Sequence, residues 1–153
     1  MNTADQYLKA IYVLSDQGQA PVSTGDLAER LEVSPASANE MIGKLEDRGL
    51  LEHEKYHGAT LTGSGRERAR HALQTYCIIE RFLATVLEVE HFRSEAKELE
   101  NVIDDTVADR LDLLIDRDPS CPDCFDASND VCALLELPEQ FETDVPVGPG
   151  KDL

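Results

Sequence analysis

Ser34-Pro35 constrains this chain more than any other pair of residues in it. A serine whose hydroxyl can accept from a backbone N–H of the first turn, followed by a proline whose missing N–H costs nothing there, starts a helix. That helix places Ala38, Met41, Ile42 and Leu45 on one side and stops at Gly49, which follows Arg48 as a natural C-terminal cap. Just before it, Ser23 with Asp26 three residues on opens a shorter helix whose inward residues are Leu27, Ala28 and Leu31, and which cannot extend past Val33. Two helices joined by so few residues have the spacing of a helix-turn-helix.

The flanking segments fit that unit. Tyr7, Leu8, Ile11, Tyr12 and Leu14 recur at helical spacing between Asp5 and Gln17. Beyond Gly49 the pattern becomes that of a hairpin: a strand over 50–55, a turn at Tyr56-His57-Gly58 and a returning strand over 59–61, which together make a wing. A long helix is expected from about Ser64 to Leu87, with Ala69, Ala72, Leu73, Tyr76, Ile79, Leu83 and Val86 on one face. After a break near 90–94, a further helix repeats Leu99, Val102, Ile103, Thr106, Val107, Arg110, Leu111 and Leu114 on one side. A winged helix alone cannot cover two such stripes. A second copy packed about a two-fold axis covers them economically, and an intrachain helical hairpin is the alternative. From Asp116 onward prolines punctuate a Cys-bearing segment, a short helix near 129–135 and a tail from Thr143. The expected fold is mainly α: an N-terminal winged helix-turn-helix over 1–63, a helical dimerisation domain over 64–118, and a Cys-containing C-terminal segment over 119–153.

Charge sets a condition on any nucleic-acid reading. The 153 residues carry a formal charge of −17, which argues against phosphate binding until its distribution is considered. Residues 1–75 hold 8 Lys and Arg against 11 Asp and Glu, and residues 76–153 hold 6 against 20, so most of the acid lies in the second half. A dense acidic surface suits a protein that works in high salt; an acidic interaction tail is the other reading. In molar salt, where charges are screened beyond about 3 Å, a DNA reader leans on shape and short contacts. No apolar run is long enough to span a bilayer and no signal peptide opens the chain, so the expected location is cytoplasmic.

In a winged helix the third helix enters the major groove while its start and the wing hold phosphates. The candidates on that helix are Ser34, Pro35, Ala36, Ser37, Asn39 and Lys44, with Asn39 suited to paired bonds on adenine N6 and N7, and Ser37 and Ala36 suited to a base edge or a thymine methyl. Lys44, Lys55, His57 and the run Arg66, Arg68, Arg70 are candidate phosphate contacts; a plain solvated surface is the alternative for each. Separately, Cys121-Pro122-Asp123-Cys124 followed by Cys132 has the spacing that lets thiolates meet one tetrahedral zinc or iron ion. The same cysteines could be a redox pair, or unligated thiols, and Cys77 reads as a small buried hydrophobe.

At this point the chain resembles the metal-dependent repressors of the diphtheria-toxin-repressor and manganese-transport-regulator family (DtxR/MntR). The resemblance lies in the runs 6–12, 27–31, 34–51, Leu61-Thr62 with Gly65, and Glu80-Arg81-Phe82-Leu83, and extends over roughly residues 4–116. It implies a winged helix followed by a helical dimerisation and metal-sensing domain, iron(II) or manganese(II) as the bound divalent metal, and a homodimer on double-stranded operator DNA. At the family's ligand positions this chain has Gln6 for Met or Asp, Tyr76 for His, Glu80 for Glu, Lys97 for Cys or Glu, Glu100 for Glu and Asn101 for His. Glu80, Glu100 and Asn101 are the candidate metal residues so implied. An ammonium at Lys97 and an amide at Asn101 make a weaker set for a divalent ion.

The expected function is a dimeric, metal-responsive transcriptional regulator; the alternative is a thiol-sensing regulator built on the CxxC segment. An enzyme is not expected. The chain has no Ser-His-Asp constellation, phosphate-binding glycine loop or His-x-x-x-His pair, and its CxxC lies outside the βαβ setting of a thiol oxidoreductase.

Overall fold

The computed structural model describes residues 3–117, 121–123, 125–126 and 131–132. They belong to two compact units that divide within a helix, between Leu73 and Gln74. In the first unit, α1 (Thr3–Asp16) buries Tyr7, Leu8, Ile11 and Val13, and burial pushes the Tyr7 phenol above its usual pKa. Helix α2 (Thr24–Leu31) starts where the Ser23 hydroxyl accepts from Asp26 N–H at 3.0 Å, and ends at Glu32, whose φ of 56° is left-handed.

Helix α3 (Pro35–Asp47) begins as its sequence dictates: the Ser34 Oγ accepts from Ser37 N–H at 3.1 Å and Pro35 takes the first turn. Ala38, Ile42 and Leu45 are buried, Met41 is half-buried, and Gly49 follows with φ 73°. Strands β1 (Leu51–Glu54) and β2 (Gly58–Leu61) pair antiparallel with Leu51 opposite Leu61, forming the wing. Its other edge is also used. Val22 and Ala59 exchange backbone bonds of 2.9 and 2.8 Å, tying the segment before α2 to the hairpin, a pairing too short to leave a pattern in the sequence.

Helix α4 (Gly63–Arg81) is joined to the wing by Thr62, whose hydroxyl donates to the Gly49 carbonyl at 2.7 Å and accepts from Gly65 N–H at 3.2 Å. The three arginines of its first turns reach back to α1. Arg66 lies over the Tyr12 ring at 5.0 Å, Arg68 bonds Asp5 at 2.6 Å, and Arg70 donates to the Tyr12 hydroxyl at 2.9 Å. The run expected as candidate phosphate contacts thus also ties α4 to α1, with Arg66 still exposed.

In the second unit the α-helical ladder stops at Arg81, six residues before the expected end. A π-helical turn (Phe82–Val86) follows, in which Leu87 N–H reaches the Phe82 carbonyl, and Glu88 at φ 52° closes it. The single helix expected over 99–114 is two: α5 (Phe92–Leu99), anchored by buried Phe92 and Ala96, and α6 (Asp105–Asp112). Asp104 makes the division, its carboxylate accepting from Val107 N–H at 2.9 Å as an N-cap. Replacing Asp104 by Ala should lower stability by about 1 kcal/mol, read as a drop in denaturation midpoint at unchanged slope. Past α6, Arg117 clamps Asp112 through two bonds of 2.8 Å and holds its carboxyl below the usual range.

Strands β3 (Phe125–Asp126) and β4 (Val131–Cys132) pair with Phe125 opposite Cys132. Strand β4 thus stands where the start of a short helix over 129–135 is expected, because pairing with β3 satisfies its backbone instead. The rest of that helix and the tail from Thr143 lie outside the described residues. Among the described residues no helix is long and apolar enough to cross a membrane.

Candidate DNA interface and metal centre

The buried side of α3 faces its own unit, which leaves the opposite side outward. Ser34, Pro35, Ala36, Ser37, Asn39, Glu40 and Lys44 are all exposed. Ser34 and Ser37 share a hydroxyl–hydroxyl bond of 2.9 Å, and Lys44 leans on Glu40 at 3.4 Å, one helical turn back. An exposed pair of that kind contributes a few tenths of a kcal/mol, so it leaves the ammonium available to a phosphate. At the wing tip Lys55 and His57 are exposed too.

One residue there was not singled out from the sequence. Tyr56 adopts φ 69° and is 91% exposed, with Lys55 above its ring at 5.2 Å. The turn was legible, but nothing local tells a packed tyrosine from a presented one. An aromatic and an ammonium held together at a hairpin tip suit the edge of a phosphate backbone.

The candidate metal residues are less unified. Glu80 is 0% and Glu100 3% exposed, both inside the second unit, and each has a polar or electrostatic interaction with other residues. Asn101 is exposed, and its amide nitrogen donates to the Lys97 carbonyl at 3.1 Å. Tyr76, at the position where the resemblance implies an imidazole, is 1% exposed with its ring edge-on to Phe125, centroids 6.2 Å apart. Gln6 belongs to the first unit. Among the described residues no three His, Cys, Asp or Glu side chains gather to hold an ion. Glu80 Oε2 and the Tyr76 hydroxyl oxygen are buried without a hydrogen-bond partner, although both residues make other interactions.

The cysteines divide differently. Cys121 is buried, carries no disulfide, and its sulfur interacts with the Arg117 guanidinium, which Asp112 and Cys121 together hold in its charged form. Phe125 N–H donates to the Pro122 carbonyl at 3.0 Å, closing a tight turn after Cys121. Cys124 lies outside the described residues, as does the side chain of Cys132. Cys77 is buried on α4, as a small core residue would be.

Along its length the chain matches two family models in succession. Residues 1–59 match the iron-dependent repressor N-terminal DNA-binding domain, and residues 62–124 match the iron-dependent repressor metal-binding and dimerisation domain. An uncharacterized HTH-type transcriptional regulator of Methanocaldococcus jannaschii is 30% identical over 115 residues, 74% of this chain and 92% of that protein. The HTH-type transcriptional regulator MntR of Lysinibacillus sphaericus is 32% identical over 113 residues, 72% of this chain and 80% of that protein. Among solved structures, a manganese-dependent transcriptional repressor in complex with manganese is similar at 36% identity and a TM-score of 0.67. That match covers 76% of this chain but 56% of the other, so this chain spans little more than half of that repressor. Both of its successive parts are matched, and the full-length relatives share most of its span; the chain belongs to the iron-dependent repressor family, the DtxR/MntR group.

Proposed function

We propose that this protein is a homodimeric, metal-responsive transcriptional regulator that reads operator DNA in the cytoplasm with one α3 per half-site, and that it is not an enzyme. The observation that carries the reading is α3 itself: one side is buried in its own unit, and the other exposes Ser34, Ser37, Asn39, Glu40 and Lys44, with an exposed wing tip in the same unit. Division of labour follows the sequence, with 1–63 reading DNA, 64–118 pairing subunits and sensing, and 119–153 carrying the remaining cysteines. Selection from a random duplex pool in molar potassium chloride tests the function. An enriched inverted repeat whose half-sites lie about one helical turn apart supports it; no enrichment, or an unpaired site, removes it.

Base contacts fall to Asn39, Ser37 and Ala36, and phosphate contacts to Ser34, Pro35, Lys44, Lys55 and His57. Asn39→Ala is expected to weaken binding to the selected site about tenfold and to relax preference at one base pair. Lys55→Ala should weaken all sequences alike and lower the salt slope by about one. Fluorescence anisotropy across a salt series separates the two.

For pairing, the second unit supports a second copy. Val102, Val107, Leu113 and Leu114 stay exposed, at 77% for Val102 and 79% for Leu113, so the apolar stripe is not covered by the described part of its own chain. The family model over this region is a dimerisation domain, which favours that occupant over an intrachain cover.

The ion is a divalent transition metal; relatives are named for manganese and iron. Its donors in this chain are Cys121, Cys124 and Cys132, a proposal that stands on CxxC spacing and on thiolate softness, which favours zinc or iron. A cobalt(II) titration of the reduced chain should give a thiolate charge-transfer band that Cys121→Ser abolishes. A spectrum without that band assigns the ion elsewhere. The family comparisons support metal response and lend nothing to the redox alternative.

A further inference from the structure

The tip of the wing carries a residue that its own turn does not ask for. Between β1 and β2 the His57 N–H donates to the Glu54 carbonyl at 3.0 Å, so residues 54–57 form a β-turn whose third residue is Tyr56, at φ 69°. That position favours glycine or asparagine, because a larger side chain meets a steric penalty at positive φ. Packing does not offset the penalty: Tyr56 is 91% exposed, with the neighbouring Lys55 ammonium 5.2 Å from the ring centroid. A side chain that strains its turn and buries almost nothing is placed for something outside the chain.

The hairpin below it is held at both edges. Along β2, Val22 and Ala59 exchange backbone bonds of 2.9 and 2.8 Å; along β1, the His53 N–H donates to the Glu46 carboxylate of α3 at 2.9 Å. Gly58 is required at the start of β2, since a Cβ there would fall on the Val22 carbonyl. The wing therefore meets a duplex as a preformed piece tied to the reading helix, and loses little freedom on binding. Charge supplies an independent constraint. Residues 1–75 hold 8 Lys and Arg against 11 Asp and Glu, and two of the 8, Arg68 and Arg70, are bonded to α1. With so few cations for phosphates, uncharged contacts must carry more of the affinity.

We propose that Tyr56 is a second reader of sequence, entering the minor groove next to the major groove that α3 occupies and selecting A·T pairs there, a role that rests on the operator reading above. A helix fills the major groove, about 12 Å wide, whereas a flat phenol fits the minor groove, about 6 Å wide. In that groove A·T and T·A both present only acceptors, adenine N3 and thymine O2, to which a phenol hydroxyl can donate. G·C adds the guanine amine, which stands in the way of the ring. The contact carries no charge, so its share of the affinity does not fade as salt rises, in contrast to that of Lys55.

Duplex selection in molar potassium chloride is run with the unmodified chain and with Tyr56→Gly, which tolerates the turn's positive φ and should leave the melting temperature no lower. The unmodified chain should enrich A·T at a position outside each α3 half-site, and Tyr56→Gly should lose that preference while keeping the rest of the inverted repeat. Fluorescence anisotropy then compares duplexes with A·T, G·C or inosine·C at that position; inosine·C has the major-groove face of G·C and lacks the minor-groove amine. The unmodified chain should bind the G·C duplex about tenfold more weakly than the A·T duplex, and inosine·C as tightly as A·T. Tyr56→Gly should bind all three alike, about tenfold more weakly than the unmodified chain binds A·T, with an unchanged salt slope. Equal affinity of the variant and the unmodified chain for the A·T duplex would overturn the assignment, as would inosine·C behaving as G·C. A pool from which the unmodified chain selects no duplex removes the regulator reading, and the role of Tyr56 with it. Selection that proceeds identically with Tyr56→Gly removes the role of Tyr56 alone.

Discussion

With Leu113→Glu and Leu114→Glu combined, the protein should sediment as a monomer and lose about a hundredfold or more of its affinity for a paired operator. Both leucines are largely exposed in the single chain, at 79% and 62%, so the substitutions remove little from the fold of one subunit. In a dimer each is a buried leucine worth about 1.5–3 kcal/mol, and a glutamate in its place must be desolvated without a partner. Losing the partner converts the second half-site contact from an intramolecular event into an independent one, and that difference alone spans roughly two to four powers of ten. Sedimentation equilibrium, circular dichroism and binding to a full and a half operator check the three parts. A variant that stays dimeric places the pairing surface elsewhere.

Gly65→Ala should destabilise the first unit by about 3 kcal/mol, the upper end for overpacking, which corresponds to roughly 10 °C in melting temperature. The glycine sits at the start of α4 with its backbone N–H bonded to Thr62, and a methyl there would fall on the Leu50 carbonyl. Backbone cannot yield as a flexible side chain would, so either α4 or the end of the wing must move. The same contact orients the wing relative to α3, so DNA affinity should fall along with stability. Gly63→Ala, two residues away in open space, is the control and should be nearly neutral.

Much of the first unit was legible because its signals are local. Ser23, Ser34, Pro35 and Gly49 each act within four residues, and the structure uses them at the ends of α2 and α3 as capping chemistry requires. What escaped depends on distant partners. Arg66, Arg68 and Arg70 look like a basic run in sequence, yet their partners Tyr12 and Asp5 stand more than fifty residues away. In the second unit, apolar periodicity continued straight through the break before α6, because a single carboxylate at Asp104 can divide a helix without disturbing the pattern of its apolar residues. The candidate metal residues were legible as identities, but only burial showed Tyr76, Glu80 and Glu100 as parts of a core.

Operator reading by this protein depends on two copies of α3 meeting one duplex. Hydroxyl-radical footprinting of both strands of the selected duplex addresses this directly, alongside methylation interference in the major groove. Two equivalent windows related by a two-fold axis, about one helical turn apart, are expected, each lost when Asn39 is replaced by Ala. A single asymmetric window, or a symmetric one indifferent to Asn39 and its neighbours on α3, would contradict it.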